Sequence, residues 1–439
     1  MKTLKKKALM MAAVAAIVLG TLAVSYFTGP NAEADSTYND NHGKVKNVIF
    51  LIPDGFSASY GTNYRWFKGK KSKMDEILVG MHRTYSADTK VTDSAAAGTA
   101  MATGVKTNNG MISMSPDGKK LKSILETVEE KGKATGLIAT TTITYATPAV
   151  FASHVASRTN EALIAPQLLE NGVDVLLGGG KKYFPAQLIT KAKKGGYHYI
   201  SSRDELLKGA AKSNKLLGLF ADDALAPSLD RAETNQPTLA EMTETAINIL
   251  QKNKEGFFLM VEGSQIDWAG HDNDAAWAMN DVAAFEEALV KALSFAKKDR
   301  HTLVVVAGDH DTGGMSVGGY DLYEANVEIL RNVTATGDYM VTKLNARRSN
   351  VKAVVKKYTG LDLTDDEVGK VRAASKPDMA INKIVSERAR IGWTSKVHTG
   401  VDIPLYAYGP GSDLFRGLHE NTDLPVLMAK ATKIKFDGK

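Results

Sequence analysis

Short apolar runs in this 439-residue chain lead repeatedly into Asp, Glu and His, residue types able to ligate metal ions. Val48–Ile52 runs into Pro53-Asp54-Gly55, Phe257–Val261 into Glu262 and then Asp267 and His271, and Leu303–Ala307 into Gly308-Asp309-His310. His398-Thr399-Gly400 precedes a further run at Leu405. A single Asp after a strand is an ordinary turn or cap residue, and a single His is ordinarily structural. Four such clusters together are different, because charged groups buried side by side need cations to pair them. Asp267 and His271 are spaced so that one helical turn would aim both at one ion. The chain has no cysteine, so any zinc must take His, Asp or Glu, the donors of open catalytic sites.

The second unusual stretch is Thr92-Asp93-Ser94-Ala95-Ala96-Ala97-Gly98-Thr99-Ala100. Its small side chains let a backbone and a substrate approach closely, and it begins a predicted helix of about ten residues. A helix start offers unpaired amides and a positive dipole end, which favour an alkoxide or a phosphate. Alone, Ser94 reads as a helix N-cap. Beside a metal cluster it reads as a nucleophile, since a metal can hold the serine deprotonated. Arg158 alone is an ordinary surface arginine; in a phosphoryl-transfer site its fork would bind two phosphate oxygens. Gly178-Gly179-Gly180-Lys181 lacks P-loop spacing and reads as a tight turn after a strand.

Elements of an α/β fold must position these groups. Strands are expected at Val48–Ile52, Gly136–Thr140, Val173–Leu177, Phe257–Val261, Leu303–Ala307 and Leu405–Tyr408, nearly continuous in apolar residues and therefore buried on both faces. Helical patterns lie between them. Thr238 and Glu241 form a capping box before a stripe of Leu239, Met242, Ala246, Ile249 and Leu250, and a longer helix runs from about Ala275 to Ala296 and ends in Lys297-Lys298. From about Tyr320 to Arg390 the alternation gives way to a charged helical stretch with a capping box at Thr364 and Glu367. The expectation is one domain over residues 35–439, with a large, mostly parallel sheet, helices on both faces, and a helical insertion at about 320–390.

The start of the chain bears on its destination. Lys2, Lys5, Lys6 and Lys7 precede an apolar stretch from Ala8 to about Val24, and Ala32-Glu33-Ala34 supplies a cleavage site. This is a secretory signal with cleavage expected after Ala34, the alternative being a membrane anchor. Cleavage removes those four lysines and Glu33, so the formal charge falls from +6 to +3. A mildly basic chain with both signs dispersed gives no case for nucleic acid. Arg347-Arg348 and the run at Lys352–Lys357 read as solvated helix surface.

With these residues assembled, the sequence resembles the alkaline phosphatase family. The motifs fall in the family's order: Pro-Asp-Gly at 53–55, Thr-Asp-Ser-Ala at 92–95, Ala-Thr-Pro at 146–148, Arg158, Val-Glu-Gly at 261–263, Asp267 with His271, Asp309-His310 and His398-Thr-Gly. The resemblance implies two Zn2+ and one Mg2+ per chain. One zinc would be held by Asp267, His271 and His398, and the other by Asp54, Asp309, His310 and Ser94. Magnesium would be held by Asp54, Thr147 and Glu262, while Asp93 pairs with Arg158. It further implies hydrolysis of small phosphate monoesters through a phosphoserine, phosphate scavenging outside the cytoplasm, no membrane span in the mature chain, and room for a homodimer. Tyr145 and Trp268 stand where family members carry Asp or His and Lys, His or Trp, around the third metal. A phosphodiesterase of the same superfamily and a phosphate- or metal-binding protein without turnover are the rival readings.

Overall fold

A computed structural model describes residues 45–438. The expected signal and its cleavage site at Ala34 lie outside the described residues.

The strands are β1 (Asn47–Pro53), β2 (Leu78–Arg83), β3 (Ala134–Thr142), β4 (Val175–Gly179), β5 (Tyr197–Ile200), β6 (Lys215–Leu219), β7 (Phe257–Gly263), β8 (Thr302–Ala307), β9 (Asp311–Thr312), β10 (His398–Thr399), β11 (Ile403–Tyr408) and β12 (Gly417–Glu420). Ten of them form one sheet in the order β12-β2-β11-β8-β1-β7-β3-β4-β6-β5, and β9 pairs with β10 in a separate ribbon. Every neighbouring pair in the large sheet is parallel except those of β11, which runs against both β8 and β2.

Alternation along β1 explains the layers. Ile49 and Leu51 enter one apolar core, with Phe285 and Leu289 of the helix Ala275–Asp299. Val48, Phe50 and Ile52 enter the other, with Val150 and Phe151 of the helix Ala146–Ala152. Each core excludes water from one face of the sheet, the dominant stabilising term in such a fold. The expected mostly parallel sheet with helices on both faces is therefore observed. Both capping boxes form, at Thr238 with Glu241 and at Thr364 with Glu367. The stretch from 320 to 390 is helical, and Val327, Leu330, Val355, Ile381 and Val385 pack into the first core.

Three expectations need correction. β2, β5, β6 and β12 are strands that the apolar pattern did not announce. They are short and mostly near the sheet margins; Leu78 of β2 and Leu418 of β12 are exposed. The strand expected at Val173–Leu177 is β4, two residues further on, so Gly178 and Gly179 lie in it and only Gly180, at φ +89°, turns the chain. A Cβ on Gly179 would lie 1.9 Å from the Asp223 carbonyl oxygen, so glycine is required there by close approach. Finally, Arg348 is not plain solvated surface. Its Nη1 donates to the carbonyls of Val371, Arg372 and Ala374 and closes the end of the helix Asp365–Ala373.

Candidate active site

Four strands adjacent in the sheet, β8, β1, β7 and β3, deliver most of the polar residues to one edge. Asp54 follows β1, Glu262 lies at the end of β7, Asp309 and His310 follow β8, and Thr147 is in the helix just beyond β3. Ile52 and Ala139 flank Glu262 in register, which fixes these positions along a common line. All five side chains are buried. Thr147 Oγ1 donates to Asp54 Oδ2 at 3.2 Å. On the other side, His310 Nε2 lies 3.6 Å from Asp54 Oδ1 and 3.1 Å from Asp309 Oδ2. Gly55 donates its N–H to Asp309 Oδ1 at 3.1 Å and has φ +75°. A Cβ there would stand 2.7 Å from Asp267 Cα, so the Asp-Gly pair is dictated by both conformation and space.

Asp267 and His271 lie on the helix Gln265–His271, one turn apart, and His398 enters on β10. Backbone carbonyls set both imidazoles: Lys396 O is 2.7 Å from His271 Nδ1, and Thr92 O is 2.8 Å from His398 Nδ1. A carbonyl only accepts, so each Nδ1 carries a proton and each Nε2 is directed inward. The two Nε2 atoms are 3.2 Å apart, and each is 3.4 Å from an Asp267 oxygen. The His310 ring stacks on His398 with centroids 3.5 Å apart, so it stands between this group and the Asp54–Asp309 group.

Ser94 is the first residue of the helix Ser94–Thr103, whose ten residues are all buried. The N-cap is Asp93, not Ser94: Asp93 Oδ1 accepts the Ala96 N–H at 2.9 Å, which leaves the serine hydroxyl outside the cap. Ser94 Oγ lies 3.1 Å from His310 Nε2. Asp93 Oδ2 accepts from Arg158 Nη1 at 3.0 Å and from Gly110 N at 3.0 Å. Arg158 also lies over the Tyr145 ring, which meets Trp268 edge-on.

The electrostatics test whether these groups suit cations. Asp54 Oδ1, Asp309 Oδ2 and both oxygens of Glu262 are buried without a hydrogen-bond partner. Burial, reinforced by Asp309, Asp267 and Glu262, pushes Asp54 well above the usual carboxylate range. Burial raises Glu262 to about 7. Burial also acts to raise Asp267 and Asp309, but His271 and His398 hold the first low and His310 the second. Against burial, Asp267 lifts His271 to about 9. Carboxylate oxygens without partners and converging imidazole nitrogens are what divalent cations satisfy. Ligand atoms of Asp54, Asp309 and His310 lie within 4.8 Å of one another, as do those of Asp267, His310 and His398. The donor chemistry fits mixed N/O sets around His310 and the His271–His398 pair, and an all-oxygen set at Asp54, Thr147 and Glu262.

Two contributors had no signal in the sequence pattern. Thr312 Oγ1 donates to Asp267 Oδ1 and lies 3.3 Å from His310 Nδ1, joining the two groups. Asn109 Oδ1 accepts the Asp93 N–H at 3.0 Å and steadies the turn before Ser94. Only their place in the folded chain identifies them.

The family model described as alkaline phosphatase matches residues 45–434. Alkaline phosphatase 3 of Bacillus subtilis is 44% identical over the full length of both chains. A cold-active alkaline phosphatase from a psychrophilic Shewanella shares 35% identity and a TM-score of 0.83, over 88% of this chain and 99% of the other. A variant of the TAB5 alkaline phosphatase, described with Mg bound in its M3 site, is 30% identical with a TM-score of 0.69, over 89% of this chain and 99% of that one.

Proposed function

The chain belongs to the alkaline phosphatase family, and from that premise we propose that it hydrolyses phosphate monoesters through a phosphoserine formed on Ser94. The observation that carries this reading is the position of Ser94 Oγ: it stands at a buried helix start, free of the cap, 3.1 Å from His310 Nε2. Asp267, His271 and His398 would hold one zinc, and Asp54, Asp309, His310 and Ser94 Oγ a second. Asp54, Thr147 and Glu262 would hold magnesium, for which oxygen donors are apt. Bound cations would supply Lewis-acid charge to the attacking, phosphoryl and departing oxygens.

The chain's own residues account for the remaining steps. Ser94 Oγ bonds to phosphorus as the ester oxygen leaves in line, and the serine proton ends on the alcohol. Arg158, held at Nη1 by Asp93, directs its fork at two non-bridging oxygens. The positive end of the helix that Ser94 begins favours the same charge. Water then breaks the serine–phosphate bond, restoring the hydroxyl and releasing inorganic phosphate. The basic and apolar start ending at Ala34 supports export of the protein, where it would scavenge phosphate from outside esters.

The test is to quench turnover at mildly acid pH with radiolabelled substrate. The parent should retain label on the protein and Ser94→Ala none; label persisting in Ser94→Ala would eliminate Ser94 as the nucleophile. Comparing p-nitrophenyl phosphate with its bis-ester separates this from the diesterase reading, which requires the bis-ester to be the faster substrate.

A further inference from the structure

The mechanism leaves Tyr145 and Trp268 without a task. Tyr145 immediately precedes the helix Ala146–Ala152, and Trp268 lies between Asp267 and His271 on the helix Gln265–His271. The rings meet edge to face, with centroids 6.1 Å apart at 78°. The Arg158 guanidinium carbon is 4.8 Å from the centre of the Tyr145 ring. Its Nη1 is bonded to Asp93, and its backbone N–H donates to Gly110 O at 2.7 Å. Among the described residues, neither Nε nor Nη2 of Arg158 has a hydrogen-bond partner in the protein.

A guanidinium held at one nitrogen can still pivot about that contact. A ring beneath its plane removes the pivot, because the cation is attracted to the electron-rich face. That ring needs its own support, and the perpendicular contact with Trp268 is a favoured aromatic geometry. All three side chains are only part-exposed, which limits competition from water.

We propose that Tyr145 is a positioning residue for phosphate recognition: its ring face, braced by Trp268, sets the plane of Arg158 so that Nε and Nη2 face the phosphoryl oxygens. The proposal rests on the reading of Arg158 as the phosphate clamp. It assigns the effect to the ring and not to the hydroxyl.

The experiment is calorimetric titration of inorganic phosphate into the metal-loaded protein, with metal content per chain and separate kcat and KM values. It uses Tyr145→Phe, Tyr145→Leu, Arg158→Ala and the Tyr145→Leu/Arg158→Ala double variant. Tyr145→Leu should weaken phosphate binding about tenfold, while Tyr145→Phe stays within about twofold of the parent. In the Arg158→Ala background, Tyr145→Leu should add less than about twofold, as expected of coupled residues. If Arg158→Ala weakens binding but Tyr145→Leu does not, or if their losses add, the positioning role is wrong and the clamp stands. If Phe fails as badly as Leu, the ring-face account falls. Loss of metal from Tyr145→Leu would place its effect at the cation site and overturn the proposal. Unchanged binding in Arg158→Ala would remove the clamp, and the proposal with it.

Discussion

The floor of the site and its rim are built by different means. Asp54, Thr147, Glu262, Asp309 and His310 form the floor, on or just beyond four adjacent strand ends, and all are closed to solvent. His271, His398, Arg158, Tyr145 and Trp268 form the rim, carried by a short helix, a two-stranded ribbon and loops, and all are part-exposed. Sheet register sets the floor, whereas single hydrogen bonds and ring contacts set the rim. The floor should therefore decide whether the fold persists and should share the cations with His271 and His398 of the rim, while Arg158, Tyr145 and Trp268 decide how phosphate is gripped.

The strongest way to break that distinction is Asp54→Asn, because Asp54 faces both His310 and Thr147. Activity should fall by about 10^3-fold or more, the equivalent of several kcal/mol of charge stabilisation, with bound metal lost by elemental analysis. Activity within about tenfold of the parent, with metal retained, would show that the floor is not the cation platform.

Chelation should separate the regions by pH. Glu262, raised from 4.5 to about 7, stabilises the chelated fold below 4.5, a contribution lost as pH rises through 7. His271, raised from 6.5 to about 9, contributes below 6.5 and loses that contribution through 9. Asp267 and Asp309, held low, are already ionised through this range and add no opposing slope. The Tm gap between metal-loaded and chelated protein should thus widen from about pH 5 to about pH 9. A gap that is constant or narrows upward would contradict the assignment of Glu262 and His271 to cations.

The smallest effect belongs to the rim. Trp268→Ala should cost about threefold in phosphate affinity, the scale of one aromatic pair, with Tm and metal content close to the parent. A large fall in Tm would mean that Trp268 supports the fold and that the rim is not independent of the floor.

The same division explains what could be read from the residues. An acid placed directly after a buried apolar run must emerge at the carboxyl edge of a parallel sheet. Asp54, Glu262 and Asp309 do this, and the runs before them lie within β1, β7 and β8. The rim is less legible because its partners include the carbonyls of Thr92 and Lys396, which every residue type can supply. Thr312 joins Asp267 to His310 with a hydroxyl that has no telling spacing. The contact of Arg158 with Tyr145 depends on how a loop after one helix returns over that helix's start. Elsewhere, β5 and β12 are four residues long with mixed burial, too little pattern to distinguish from loop.

The central place of β1 also has a consequence in time. It is the first strand of the sheet, yet Val48 pairs with Phe258 and Leu303. During synthesis the middle of the sheet is therefore made before either strand that flanks it, and such distant pairings close slowly. Asp54 must wait for His310, and His310 for His398, before the site is whole. For more than half of its elongation the polypeptide therefore carries β1 with neither of the strands that close the sheet around it.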